Sequence, residues 1–548
     1  MHRRQALTKT AAIVIAMIIV IAIIGGAWWY MSQPTPTPTE TTPPAEKTTP
    51  AEGTTAPPTE TVTRDVIRVA IGVDLDTVDP HGQTTTTVYN VMRHVYETLL
   101  WFDDEGNVIP WLAESWEVSE DGLEYTFHLR KGVKFHDGSE LTAEVVKANI
   151  DRWLDPTVKV PTRSQLGPID HAEVIDKYTI KIVLKKSFAP FLASLAEYLL
   201  ITSKNIIDKF GNKTITEVVG TGPFVFKEWV KGSKIVLERF DDYWGEKPKV
   251  RVIEWRIIPE AGTREAALLA GDVDVTFQPP PADIESLRNN PAVTVLTPVT
   301  NRVIFVALMP KGPLKNKLVR QALNYAIDRQ AIVENVLFGL GVPADSVVPP
   351  HFFGYAKMTP YEYNPEKAKQ LLAEAGYPNG FKLVLMHPTG RYLQDKQVAE
   401  AIQAYLSAIG IEVELKTMDW PSFVKELFKP LNEKIYDAVL IGWGPGVADA
   451  YYTLYPQFHS TCQLPHGLGL AYYNNSYIDE LLDKSTVELN PDVRKELYKE
   501  IIAYLWDDAP WIFLYTQCSL LAFSSNLKGV WIHPDGEQFY FFYTYFTS

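Results

Sequence analysis

Residues 110–151 read PWLAESWEVSEDGLEYTFHLRKGVKFHDGSELTAEVVKANID. Asp121-Gly122 marks a turn between two strand-like runs, 115–118 and 124–130. In the second run Tyr125, Phe127 and Leu129 alternate with Glu124, Thr126, His128 and Arg130. That period of two turns one face of a strand toward a core. Asp137-Gly138 marks another turn. Thr142 then suits a helix N-cap, with Glu144 in the first turn. Val146, Asn149, Ile150 and Trp153 follow at helical spacing. The stretch therefore predicts a β-hairpin followed by an amphipathic helix.

On the amino-terminal side, 66–73 reads as a first strand and 88–100 as a helix with Val88, Val91, Val95 and Leu99 on one face. On the carboxy-terminal side, 174–184 alternates as a strand. Residues 220–245 open with Gly220-Thr221-Gly222-Pro223, a tight bend into a strand. A nucleotide loop is excluded there, because no G-x-x-x-x-G-K-S/T follows and the alternation of Phe224 and Phe226 is that of a strand. Residues 264–270 predict a short helix and 303–308 an apolar strand. Two helices are expected over 314–339, with Asp328 capping the second. Asn364-Pro365 and Asn490-Pro491 each start a helix with Asn as cap and Pro in the first turn.

Between them lies a βαβ series: strand 382–386, helix 392–409, strand 411–416, helix 420–428 and strand 437–441. Such alternation implies a mostly parallel sheet. Open α/β sheets bind ligands beyond the carboxyl ends of their strands. The segment in that place is Gly442-Trp443-Gly444-Pro445-Gly446-Val447-Ala448-Asp449, short and glycine-rich with one tryptophan. It is the candidate ligand-binding loop.

The chain has 548 residues, more than one domain needs, and 46% hydrophobic content supports a large core. Its 14 Trp and 27 Tyr suit aromatic ligand walls. A net charge of −14 argues against nucleic acid as a partner. The two cysteines, Cys462 and Cys518, could pair outside the cell.

At the amino terminus Arg3, Arg4 and Lys9 precede an uncharged apolar run, 11–30, that ends in Trp28-Trp29-Tyr30. A run of this length spans a bilayer, and its positive flank places the start inside. Residues 1–31 are therefore expected to be a single-pass membrane anchor with the folded body extracellular; a cleaved signal peptide is the alternative. Residues 32–63, rich in Thr and Pro, should form an extended stalk. Asn212 and Asn474 sit in N-x-S/T motifs and are candidate glycosylation sites.

WLAESWEVSEDG, YTFHLRKGVKFHDG and LTAEVVKA together resemble the extracellular solute-binding proteins of family 5, the dipeptide/oligopeptide-type subunits of ABC importers. VYETLLWFDDEGNVIPWLAESW, GTGPFVFKEWVKGSKIVLERFDDYWG, GDVDV, ALNYAIDRQAI, YNPEKAKQLLAEAGY and DDAPWIFLYTQ extend the resemblance in order over 66–515. It implies an α/β, two-lobed periplasmic-binding-protein fold of the class with an extra subdomain in the first lobe. Lobe I would take 64–302, with the subdomain at about 103–219. Lobe II would take 303–512, and 513–548 would return to lobe I. The chain would cross between lobes near Asn301 and Ile512, making a hinge.

The same resemblance implies a receptor that closes on a solute and passes it, unchanged, to a permease and its ATPase. No cofactor is implied. Glu97 would face the cleft. Peptide-binding relatives hold the ligand's amino group with an aspartate three residues after the tryptophan matching Trp443. Here that position is Gly446, with Asp449 the next acid, so free-amine capture does not carry over directly. Short peptides are the first expectation. An oligosaccharide, stacked on Trp443, Trp420, Tyr451 and Tyr452, is the second, and nickel or another small solute the third. His128, His136, His459 and His466 show no metal-ligand spacing. Against catalysis, the chain lacks G-x-S-x-G, H-E-x-x-H and any Walker motif. A surface adhesion or sensory protein would account for anchor and stalk alone.

Overall fold

In the computed structural model, which describes residues 64–82 and 85–547, two large sheets organise the two lobes. The first has seven strands in the order Val293–Leu296, Leu521–Ser524, Val275–Phe277, Val66–Ile71, Val252–Ile257, Lys234–Arg239 and Phe224–Val230. Val66–Ile71 runs parallel to both of its neighbours. The second has six, in the order Gly341–Pro343, Trp511–Cys518, Val299–Leu308, Ala438–Trp443, Lys382–Pro388 and Glu412–Met418. Lys382–Pro388 is parallel to both Glu412–Met418 and Ala438–Trp443, as the βαβ pattern requires. Each sheet has its own apolar core.

The opening stretch builds a third, four-stranded sheet: Ala113–Val118, Glu124–Leu129, Thr179–Leu184 and Ile169–Asp176. Tyr125, Phe127 and Leu129 are buried, while the residues alternating with them are not. Helix Ala143–Leu154 lies on this sheet through Val146, Ile150 and Trp153. Thr142 stands at its N-cap, but its side chain accepts no capping bond. The helix is fixed instead by Asn149, whose amide donates to the Val145 and Thr202 carbonyls and accepts from the Thr202 N–H.

The predicted helix over 88–100 stops early, as Thr86–Met92. The next carbonyls are taken by the Gly-Thr-Gly bend: Gly222 N–H donates to Val95 O at 2.9 Å and Phe224 N–H to His94 O at 3.0 Å. A Cβ on Gly220 would lie 1.9 Å from Val95 O. The bend is glycine-rich because two backbones meet there.

Strand Val299–Leu308 lies whole in the second sheet, and Trp511–Cys518 pairs with it. The boundaries expected at 302 and 512 would cut through these strands. The chain passes from sheet to sheet at 297–298 and again at 519–520, because the strands on either side, Val293–Leu296 and Leu521–Ser524, pair in the first sheet. After Leu521–Ser524 the carboxy-terminal residues fold back on the first lobe.

The expected anchor and stalk lie outside the described residues. Among the described residues no helix is long and apolar enough to cross a membrane. The possible Cys462–Cys518 disulfide is not formed: both thiols are free. Cys462 sits in the turn Ser460–Cys462, whereas Cys518 ends a strand and is buried with Ile284, Leu340 and Leu520. Burial pushes the Cys518 thiol up to about 11. Asn212 and Asn474 are exposed.

Candidate functional site

Three parallel strands of the second sheet, Lys382–Pro388, Glu412–Met418 and Ala438–Trp443, end on one side, and the turns after them form a single surface. Thr389 N–H donates to Met418 O, and Tyr392 hydroxyl donates to Gly442 O at 3.2 Å, tying the turns together. Trp420, at the start of helix Trp420–Leu427, is capped into place by the Asp419 carboxylate, which accepts from Ser422 N–H. Its ring stacks on Phe423 and meets Tyr392 edge-on.

The turn at 389–394 carries a residue the sequence reading passed over. The helix expected from 392 begins only at Asp395. The Asp395 carboxylate accepts N–H bonds from Gly390, Arg391 and Tyr392 at 2.8–3.1 Å, which holds the turn rigidly. Arg391 then projects over Tyr392 and Trp420, 5.2 and 5.0 Å from their ring centres. Its side chain is exposed. Among the described residues it has no carboxylate partner and no hydrogen bond. Burial, and then the charge of Arg302, lower its pKa below the ordinary value. Arg302 differs: it forms a two-pronged ion pair with Glu537 at 2.9 and 3.0 Å, which holds its pKa up against burial. Among the described residues, the surface thus carries one ion-paired arginine and one without an ion-pair partner.

The loop 442–449 lies where these turns meet the first lobe. Gly442 is buried in its strand, and Trp443 is half-buried, its indole N–H donating to Tyr452 O at 2.8 Å. Gly444 is exposed beside the Arg302 side chain. Asn301, just inside the crossover strand, donates to Pro445 O at 2.8 Å. Gly446 faces the first lobe directly: a Cβ there would be 2.9 Å from Glu197 Oε1 and 3.1 Å from the Tyr198 hydroxyl. Glu197 is buried and paired with Arg93 at 2.7 Å; His533 lies 3.5 Å from the same oxygen. Burial raises the Glu197 carboxyl against the pull of Arg93. Beside it, the hairpin Trp531–Ile532 with Phe539–Tyr540 is wedged between the lobes. It binds the second through Glu537 with Arg302 and the first through Gln538 with Glu197.

The structure does not bring all the expected residues together. Asp449 is buried with its carboxylate accepting from Tyr498 hydroxyl and paired with Arg494, both at 3.0 Å, so it is a strut inside the second lobe. Tyr451 packs on Phe188, and the Tyr452 hydroxyl donates to Gln165 O, so both brace the second lobe against the subdomain. Glu97 lies under Trp111, Tyr243 and Trp244 in the first lobe, away from the loop residues. Among the described residues no group of His, Cys, Asp and Glu is arranged to hold a metal ion.

The sequence matches the bacterial extracellular solute-binding proteins, family 5 (middle region), over residues 107–464. It is also 34% identical over 476 residues to the glutathione-binding protein GsiB of Escherichia coli (strain K12), covering 86% of this chain and 93% of that one. The chain belongs to family 5. Solved structures agree. The fold is similar to the periplasmic binding protein DppA from Helicobacter pylori in complex with the peptide STSA (TM-score 0.75, 30% identity, 89% of this chain and 99% of that one). It is also similar to the oligopeptide-binding protein AppA from Bacillus subtilis in complex with a nonapeptide (TM-score 0.72, 28% identity, 87% and 99%). In this chain two α/β lobes are joined by paired crossovers. Arg391 could have been found in the sequence: Pro388-Thr389-Gly390 breaks the strand, and the charge that follows stands at a carboxyl end.

Proposed function

We propose that this protein is the solute-binding subunit of an ABC importer, that it captures short peptides with a free carboxylate, and that it works outside the cell, tethered by its amino-terminal segment. The observation that carries the peptide reading is Arg391. A guanidinium without an ion-pair partner at the carboxyl ends of the strands attracts an anionic group, so this wall of the site favours one. The guanidinium fork, backed by two aromatic rings, matches a carboxylate in shape as well as charge. A neutral oligosaccharide would leave that charge unanswered.

Capture follows from the two-lobe layout. A ligand held on the turns after the parallel strands meets the first lobe only when the lobes close, so its binding energy shifts an open–closed equilibrium toward the closed form. The closed form is what a permease would recognise, and the solute leaves as it entered. The relatives whose names mention glutathione, and the neighbours solved with peptides, support this class of solute.

The test is calorimetric titration of the full-length protein with the tetrapeptide STSA, with glutathione and with maltotriose. Saturable binding of a peptide, with recovery of that peptide intact, supports the reading. Binding of maltotriose with none of either peptide would overturn it.

A further inference from the structure

The first lobe holds a cavity of about 190 Å³, whose walls include Trp111, Tyr243, Trp244, Phe542, Tyr543 and Glu246. None of its lining residues belongs to the second sheet or to the turns after it. Trp111 and Trp244 meet edge-to-face at 5.3 Å, so the cavity is bounded by aromatic faces set at steep angles.

Glu97 does not line this box but lies behind it, bonded to three of its lining side chains. It is 3% exposed, and its carboxylate accepts from the Trp111 and Trp244 indole N–H groups at 2.8 and 3.0 Å and from the Tyr243 hydroxyl at 2.8 Å. Three donors pin three walls, yet all are neutral. Among the described residues no lysine, arginine or histidine is within ion-pair distance of Glu97. Arg130 covers the Trp244 face at 4.5 Å and donates to Trp111 O. Burial raises the Glu97 carboxyl, against the hydrogen bonds that pull it down. Glu246 adds an exposed carboxylate at the mouth, and Glu246, Glu97 and Asp104 all act on the Tyr543 phenol.

Aromatic faces attract cations through their negative centres. A box of such faces, edged by the Glu246 carboxylate and with a buried carboxyl behind its walls, is complementary to a compact positive charge with apolar shoulders. We propose that this cavity is a separate binding site for a small organic cation, a primary or quaternary ammonium group.

The probe is choline, with 3,3-dimethylbutan-1-ol as its neutral isostere, titrated into the full-length protein by calorimetry. Choline is expected to bind at least about tenfold more tightly than the isostere. Tyr543→Ala and Glu246→Gln should each weaken choline several-fold with the melting temperature unchanged, since both side chains are exposed and neither pins a wall. Glu97→Gln removes the charge and should weaken choline further; if that variant fails to fold, the two rim variants still decide. Equal affinity for the two probes, binding of neither, or rim variants that leave choline affinity unchanged would overturn the proposal.

Discussion

Replacing Arg391 by glutamine should separate ligand binding from stability. The side chain is solvent-accessible and makes no internal ion pair or hydrogen bond among the described residues, so the folded protein should lose less than about 0.5 kcal/mol. In the complex, the guanidinium and a peptide carboxylate would form a charge-assisted pair in a partly desolvated wall. Hydrogen bonds to charged groups contribute about 1.5–3 kcal/mol, which corresponds to roughly 10- to 150-fold in Kd. Arg391→Lys keeps the charge but gives up the planar fork over Tyr392 and Trp420, so it should fall between the two. Calorimetry with STSA and its carboxy-terminal amide makes the argument specific. Amidation should cost the native protein about what Arg391→Gln costs, and the two changes together should cost little more than either alone. Additive losses, or an Arg391→Gln variant that binds STSA as well as the native protein does, would refute the reasoning.

Other substitutions test other joints. Gly446→Ala places a methyl 2.9 Å from Glu197 Oε1, and Arg93 keeps Glu197 from moving aside; at about 1–3 kcal/mol for overpacking, STSA should bind roughly 5- to 150-fold more weakly, and unchanged calorimetric affinity would count against closure over Gly446. Asp449→Ala strands Arg494 and the Tyr498 hydroxyl, so urea denaturation should show a loss of about 3–5 kcal/mol; a loss under 1 kcal/mol would mean that Asp449 is not the strut described. Gly220→Ala drives a methyl into the Val95 carbonyl and should destabilise by at least the upper end of the ~1–3 kcal/mol range, again by urea denaturation. Burial lowers His81, His136 and His351 to about 4 and His94 to about 3. Because their folded values lie below the unfolded one, the unfolded chain binds more protons, so stability should be full above about pH 6.5 and fall as pH drops toward 4; a flat stability profile across that window would contradict the burial.

Much of the fold is visible in the sequence because period and punctuation agree there. Tyr125, Phe127 and Leu129 alternate and are buried, and Asn364 and Asn490 cap helices that begin with proline, both caps bonded as expected. The loop after Ala438–Trp443 follows from the parallel-strand pattern alone. The misreadings have local causes. The helix over 88–100 has the right apolar spacing, but distant backbone, the bend at Gly220 and Gly222, takes its last carbonyls. Arg391 is passed over because Tyr392 fits the apolar period and starts the expected helix directly after it, whereas Asp395 gathers the N–H groups of Gly390, Arg391 and Tyr392 into a turn. Asp449 and Glu97 look like cleft acids in one dimension. Only the packing shows that Arg494 and Tyr498 claim the first, and two indoles and a phenol the second. Glu197 carried no motif at all, and its place opposite Gly446 comes from the meeting of the two lobes.

The most direct test of peptide capture is native mass spectrometry of the full-length protein purified without denaturation, so that a solute bound in the cell is retained. The account predicts adducts in a peptide-mass range that disappear in the Arg391→Gln variant. A hexose-spaced series, unchanged by that variant, would contradict it.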